Sequence, residues 1–231
     1  MKNTVELLGW YGSDLTHAQS AWTSTSRDLT EEKKSRIPKL LEMLASEGHH
    51  TPFEKSQLHF LVTVDQATHI HLLKHRIGVA INGESARYKE LKEDKMYLPE
   101  DWKGIISTDG VSKTKKGNET DWYSILESYT KTGNMLYHKC LEDLTPILGR
   151  KRAKESARFF KLMNSQITMD ISFNWRSFMH FQKLRNDECS QKEIQTLANT
   201  MLYLVENIKD NPFRRTLEAF DLKSDKKNLL T

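Results

Sequence analysis

Cysteine is nearly absent: the 231 residues contain only Cys140 and Cys189, far apart and without the paired spacing of metal ligands. A reduced, cytoplasmic compartment is the default for such a chain. Long hydrophobic runs are missing too, and the N-terminal Met-Lys-Asn-Thr-Val lacks the apolar core of a signal peptide, so no membrane span is expected. No internal repeat and no low-complexity segment occurs. An excess of one charge is also lacking, since 35 Lys and Arg stand against 31 Asp and Glu. The resulting +4 suits anionic small ligands without requiring nucleic acid. What is present is a chain 37% apolar and 29% charged, long enough for one large domain or two small ones and for a real core.

Periodicity sets out the elements. Val5 to Trp10 reads as a short strand closing at Gly12, and Leu15 to Trp22 has helical spacing. A helix from Thr30 to Ala45 would carry Ile37, Leu40, Leu41 and Leu44 on one stripe and stop at Gly48. The segment His49-His50-Thr51-Pro52-Phe53-Glu54 reads as a turn before a strand, because proline fixes an extended bend there. Leu58, Phe60, Val62 and Val64 then alternate as a strand, and Asp65 can cap the next helix. Lys103 to Thr120 is rich in Gly, Ser, Thr, Lys and Asn and reads as an exposed excursion.

A helix over Asp121–Glu142 would bury Trp122, Ile125, Leu126, Tyr129, Leu136 and Leu141, and Pro146 would end it. Lys151–Lys161 is a basic helix in which Phe159 and Phe160 would draw Arg158 inward. A second strand, Gln166–Phe173, runs into a helix ending at Arg185, with Phe178, Phe181 and Leu184 on one stripe. Ser190 and Glu193 offer a capping box for a helix through Ile208. The predicted fold is α+β, a mainly antiparallel sheet flanked by helices in a single domain over residues 1–220, with a polar, frayed tail from 221 to 231.

The stretch from His71 to Tyr88 carries the chemistry. Lys74, His75 and Arg76 stand together at a predicted helix end, where the dipole favours cations. Beyond a turn containing Gly78, Asn82 and Gly83, the run Ser85-Ala86-Arg87-Tyr88 offers a hydroxyl, a forked donor and a ring. The residues alone read either as a phosphate or nucleotide site or as a solvated basic helix end. His71 and His75 have a zinc-type spacing, but Leu72 stands where a zinc-protease helix needs Glu and no third ligand follows. Metal is not expected.

This stretch resembles the motif of the flavin-dependent thymidylate synthases: Arg-His-Arg, a short loop, then Ser-x-Arg-Tyr. The chain keeps His75, Arg76, Asn82, Ser85, Arg87 and Tyr88. Lys74 replaces an Arg, Ala80 a Ser and Gly83 a Glu, while the loop is one residue longer and Glu84 is placed to do that Glu's work. Three further stretches match: Thr51-Pro52-Phe53-Glu54; Arg158 before the second strand; and Asn174-Trp175-Arg176 leading to Arg185. His180 stands where an Asn is usual.

The resemblance implies deoxyuridine monophosphate (dUMP) as substrate, held by His71, Lys74, Glu84, Ser85, Ala86, Arg87, Arg158 and Arg185. Arg185 is the implied catalytic group, facing the uracil ring. FAD would be held by Thr51, Lys74, His75, Arg76, Glu84, Asn174, Arg176 and His180. NADPH and 5,10-methylenetetrahydrofolate are the implied co-substrates, and a homotetramer with shared active sites the implied assembly. Ser85 reads as a positioning group, since no base pairs with it in sequence. Two other functions stay open, a related flavin–folate enzyme that hydroxymethylates dUMP and a basic, non-enzymatic nucleic-acid-binding helical protein.

Overall fold

Alternating burial turns four segments into a sheet. Leu58, Phe60 and Val62 are fully buried along one strand, and Met169, Ile171 and Phe173 along another, while His59, Leu61, Asp170 and Ser172 face the other side. The strands are β1 (Thr4–Tyr11), β2 (Gln57–Asp65), β3 (Val79–Gly83) and β4 (Gln166–Asn174), in the order β1-β2-β4-β3. β1 runs antiparallel to β2, with an irregularity between Leu7 and Gly9. The Asn174 N–H donates to Gly78 O and the Glu84 N–H to Thr168 O, so numbering rises along one partner as it falls along the other, and β3 is antiparallel to β4.

β3 departs from the sequence reading, which made this stretch part of a turn. Val79 and Ile81 are half-buried while Ala80 and Asn82 are exposed, a strand pattern too short to stand out until β4 supplies its hydrogen bonds.

The computed structural model describes residues 1–85, 87–106 and 120–230. Its helices are α1 (Asp14–Trp22), α2 (Glu31–Ser35), α3 (Ile37–Ser46), α4 (Gln66–Leu73), α5 (Trp122–Ala157), α6 (Trp175–Arg185), α7 (Lys192–Glu206) and α8 (Arg214–Ala219). The α+β class is as the sequence predicts. Among the described residues no helix is long and apolar enough to cross a membrane. Contacts group the chain into two units: Met1–Asn3, Val64–His69 and Gly83–Thr168; and Thr4–Thr63, Ile70–Asn82 and Met169–Thr231.

The second unit holds most of the sheet and an aromatic core. Phe53, Phe60, Phe173, Trp175, Phe178, Phe181 and Phe213 are all fully buried, each contributing about 1.5–3 kcal/mol by leaving water. Phe60 stacks on Phe178 with centroids 5.9 Å apart, and Trp175 on Phe213 at 4.8 Å. The helix expected over Thr30–Ala45 is two, α2 and α3, because Pro38 has no N–H to donate and fits only in the first turn of a new helix. The capping box is not formed: Ser190 Oγ donates to Leu184 O, and the residue at the N-cap of α7 is Gln191, which makes no side-chain cap. The described part of the tail expected to fray is tied down from Ser224 to Leu230. Ser224 is buried against Glu206, the Asp225 N–H donates to Asn199 Oδ1 (2.8 Å) and the Leu230 N–H to Thr200 Oγ1 (2.9 Å).

The first unit is organised on α5, where Tyr137, Leu141, Ala153 and Ala157 form a core joined by Leu91 and Leu144. Pro146 does not end this helix; the break comes at Gly149, whose φ of 76° no helical residue adopts. The buried face is also rotated from the one expected, for Tyr129 and Leu136 are exposed while Thr130, Gly133 and Asn134 pack inward. Phe159 and Phe160 point outward, and Arg158 with them. Of the predicted excursion, residues 107–119 lie outside the described residues.

Candidate functional site

α4 places His71 and stops at Leu73; a turn then carries Lys74, His75 and Arg76 to Gly78. That turn is stitched to the start of α6. Asn174 caps the helix, its Oδ1 accepting the Ser177 N–H at 2.8 Å, while Ser177 Oγ donates to Ile77 O at 2.6 Å. At Gly78 φ is +64°, and any Cβ there would collide with the Asn174 amide and the Ser177 hydroxyl. The motif and the Asn174-Trp175-Arg176 run, a hundred residues apart (Ile77 to Ser177) in the chain, are therefore one local structure.

Arg185, at the last turn of α6, donates Nε–H to His75 Nε2 at 3.0 Å. Guanidinium has no lone pair to offer, so His75 accepts through Nε2 and is neutral. Burial, aided by the charge of Arg185 and by His180 and His71, lowers the His75 pKa to about 4. The imidazole is set edge-on to both Phe181 (5.0 Å) and His180 (6.4 Å). His71 Nε2 lies 3.1 Å from Gln191 Oε1. The two histidines with metal-type spacing thus each spend Nε2 on a protein partner.

Lys74 and Arg76 are exposed, and their side chains make no hydrogen bond or ion pair to a described residue. Arg176 is paired with Glu54 of the Thr-Pro-Phe-Glu turn, which ties that turn to α6. Thr51, exposed, opens the same 3-10 turn (Thr51–Lys55), held from below by buried Pro52 and Phe53. The unit thus brings together Thr51, His71, His75, Asn174, Arg176, His180 and Arg185, with two uncommitted cations beside them in the chain.

The first unit holds the remaining predicted residues. Glu84 Oε2 accepts the Thr168 N–H at 3.2 Å and Oε1 the Lys89 ammonium at 2.7 Å. Ser85 Oγ accepts the Arg87 N–H at 3.3 Å, so the hydroxyl is used to shape the loop. Arg87 Nε donates to Glu155 Oε1 at 3.0 Å, which leaves its terminal nitrogens available. Arg158 is exposed and pairs with no described residue. Ala86 lies outside the described residues. Gln191 and Glu155 escaped the sequence reading, as did the pairing of the motif residue Glu54 with Arg176, for each meets its partner across more than sixty residues of chain and no local pattern marks the pair.

Residues 6–209 match the family described as thymidylate synthase complementing protein. The flavin-dependent thymidylate synthase of Pseudothermotoga lettingae is 32% identical over 204 residues, 88% of this chain and 85% of that one. Its counterpart in Thermosipho africanus is 29% identical over 222 residues, covering 95% and 91%. Among solved structures, the UMP/dUMP methylase PolB from Streptomyces cacaoi, bound with 5-Br dUMP, superposes with a TM-score of 0.72 at 25% identity over 95% of this chain and 94% of its own.

Proposed function

The chain belongs to the thymidylate synthase complementing protein family, that of the flavin-dependent thymidylate synthases, and on that premise we propose that it converts dUMP to dTMP with FAD, 5,10-methylenetetrahydrofolate and NADPH. The observation that carries the reading is the donor set around α6: uncommitted Lys74 and Arg76, the Asn174 amide nitrogen with no bond to a described residue, and the free terminal nitrogens of Arg185. Cations in that number fit the phosphates of a flavin dinucleotide, and planar amide and guanidinium donors fit the edges of heterocycles.

In this reading Thr51, Lys74, His75, Arg76, Glu84, Asn174, Arg176 and His180 hold FAD. When bound, FAD supplies the hydride chemistry that side chains lack. Arg87 and Arg158 take the dUMP phosphate as charge-assisted donors, with Ser85 keeping the loop in shape and His71, Lys74, Glu84 and Ala86 lining the substrate. Arg185, always charged, stabilises the imide anion that makes the ring carbon nucleophilic. The working protein is a cytoplasmic homotetramer with active sites shared between subunits.

The test is a titration with FAD followed by incubation with dUMP, methylenetetrahydrofolate and NADPH. Flavin quenching on binding and a product with the mass of dTMP are expected; hydroxymethyl-dUMP would select the neighbouring reaction instead. Absence of flavin binding would overturn the assignment. UMP belongs in the same assay as competitor, because the structurally similar methylase is described as acting on both nucleotides.

A further inference from the structure

A guanidinium can be engaged along its side, through Nε and one terminal nitrogen, or end-on, through both terminal nitrogens. In Arg185 the side is taken by His75, whose Nε2 accepts from Nε at 3.0 Å. The terminal nitrogens bond no described residue. The acceptor is itself immobilised, with Phe181 edge-on at 5.0 Å and 83°.

We propose that His75 is a positioning residue for Arg185. Its Nε2 lone pair holds the side of the guanidinium and presents the end-on fork to the anionic imide edge of the substrate pyrimidine. This rests on the role given to Arg185 above. An acceptor without charge is what the position needs. A carboxylate there would neutralise the guanidinium and weaken it toward a substrate anion, whereas imidazole orients it and leaves the positive charge whole. The acceptor also has to stay unprotonated beside a fixed cation. Burial, together with Arg185, His180 and His71, keeps it so through the neutral range.

The experiment compares His75→Ala, His75→Gln and Arg185→Lys, each as the flavin-loaded enzyme, with turnover expressed per bound flavin and KM measured for dUMP. Glutamine puts an amide oxygen near the Nε2 position. His75→Ala is expected to lose about tenfold or more in kcat with a smaller change in KM, the mark of a lost transition-state contact, and His75→Gln to recover most of it. Arg185→Lys should fall at least as far. A drop in Arg185→Lys with wild-type turnover per bound flavin in both His75 variants would overturn the positioning role while leaving Arg185 in place. Wild-type turnover in Arg185→Lys would remove the reading on which the inference stands. Independently of any variant, nitrogen NMR of the wild-type protein at neutral pH should show His75 with an unprotonated Nε2, and a protonated Nε2 would overturn the proposal.

Discussion

Gly78 and Asn174 occupy each other's space: the missing Cβ of one is where the side-chain amide of the other sits. The same asparagine caps α6 and receives β3 through its backbone N–H, which donates to Gly78 O at 2.9 Å. Loop, helix and edge strand therefore depend on one close approach.

Gly78→Ala should be costly for that reason. A side chain at φ +64° costs about 1–2 kcal/mol, and displacing the cap adds about 1 kcal/mol. Thermal unfolding should show a larger loss than for Asn174→Ala, which forfeits the cap alone. Equal losses would mean that the turn relaxes freely.

Stability should depend on pH through His17. This imidazole is fully buried, 2.7 Å from Ser56 Oγ and 2.9 Å from Thr216 Oγ1, and burial lowers its pKa to about 4 from 6.5. Below 6.5 the unfolded chain takes up a proton that the folded one refuses. The stability present above pH 6.5 is thus lost as pH falls toward 4, by up to about 3 kcal/mol. Asp14, hydrogen-bonded to the same threonine, is raised by burial and has the opposite sign just above 3.8. His75, lowered to about 4, and His69, lowered by burial, act with the same sign, so melting curves of His17→Gln should lose part of the slope between pH 6.5 and 4; an unchanged slope would assign it to those two histidines.

Lys161 is the buried cation of the first unit, its side chain 3% exposed. The ammonium lies 2.5 Å from Asp94, 2.8 Å from Asn134 Oδ1 and 4.6 Å from the Tyr137 ring centre. Burial pushes the Asp94 carboxyl upward, but Lys161 and His138 outweigh it and hold the pKa below its ordinary value. Lys161→Met should destabilise by about 1–3 kcal/mol, less than for a fully buried pair because Asp94 still reaches water. The carboxyl of Asp94 should titrate higher in the variant, a shift that NMR can follow.

Glu84→Gln separates shape from charge. The amide oxygen can still accept from Thr168, while the ion pair with Lys89 is lost, worth no more than about 1 kcal/mol at this exposure. Melting should hardly move. If Glu84 serves the ligands, turnover falls far more than stability does; unchanged turnover would confine it to the loop.

Truncation after Lys223 tests the C-terminal strap. The removed residues include the partners of Glu206, Asn199 and Thr200. At about 1 kcal/mol per hydrogen bond, a loss of about 2–4 kcal/mol is expected. An unaltered melting temperature would show the strap to be unnecessary.

The sequence by itself determined the elements whose signal is local. β2 and β4 are legible because a period of two in Leu58–Val64 and Ile167–Phe173 is the burial pattern itself, and α6 because Asn174 and its aromatic stripe mark both start and inward face. The motif residues were legible as chemistry, since cations and a forked donor cannot all be explained by packing. Tertiary structure alone decided the rest. β3 exists only through bonds to β4. The face of α5 that is buried was chosen by what packs on it, Leu91 at Tyr137, the Phe160 carbonyl at Gly133, Lys161 at Asn134 and Asn164 at Thr130, not by the helix's own scattered apolar residues. The pairing of Arg185 with His75 joins residues 110 apart in sequence. Hydrogen-bond partners at that separation are set by how helices and strands pack, and no spacing along the chain encodes them.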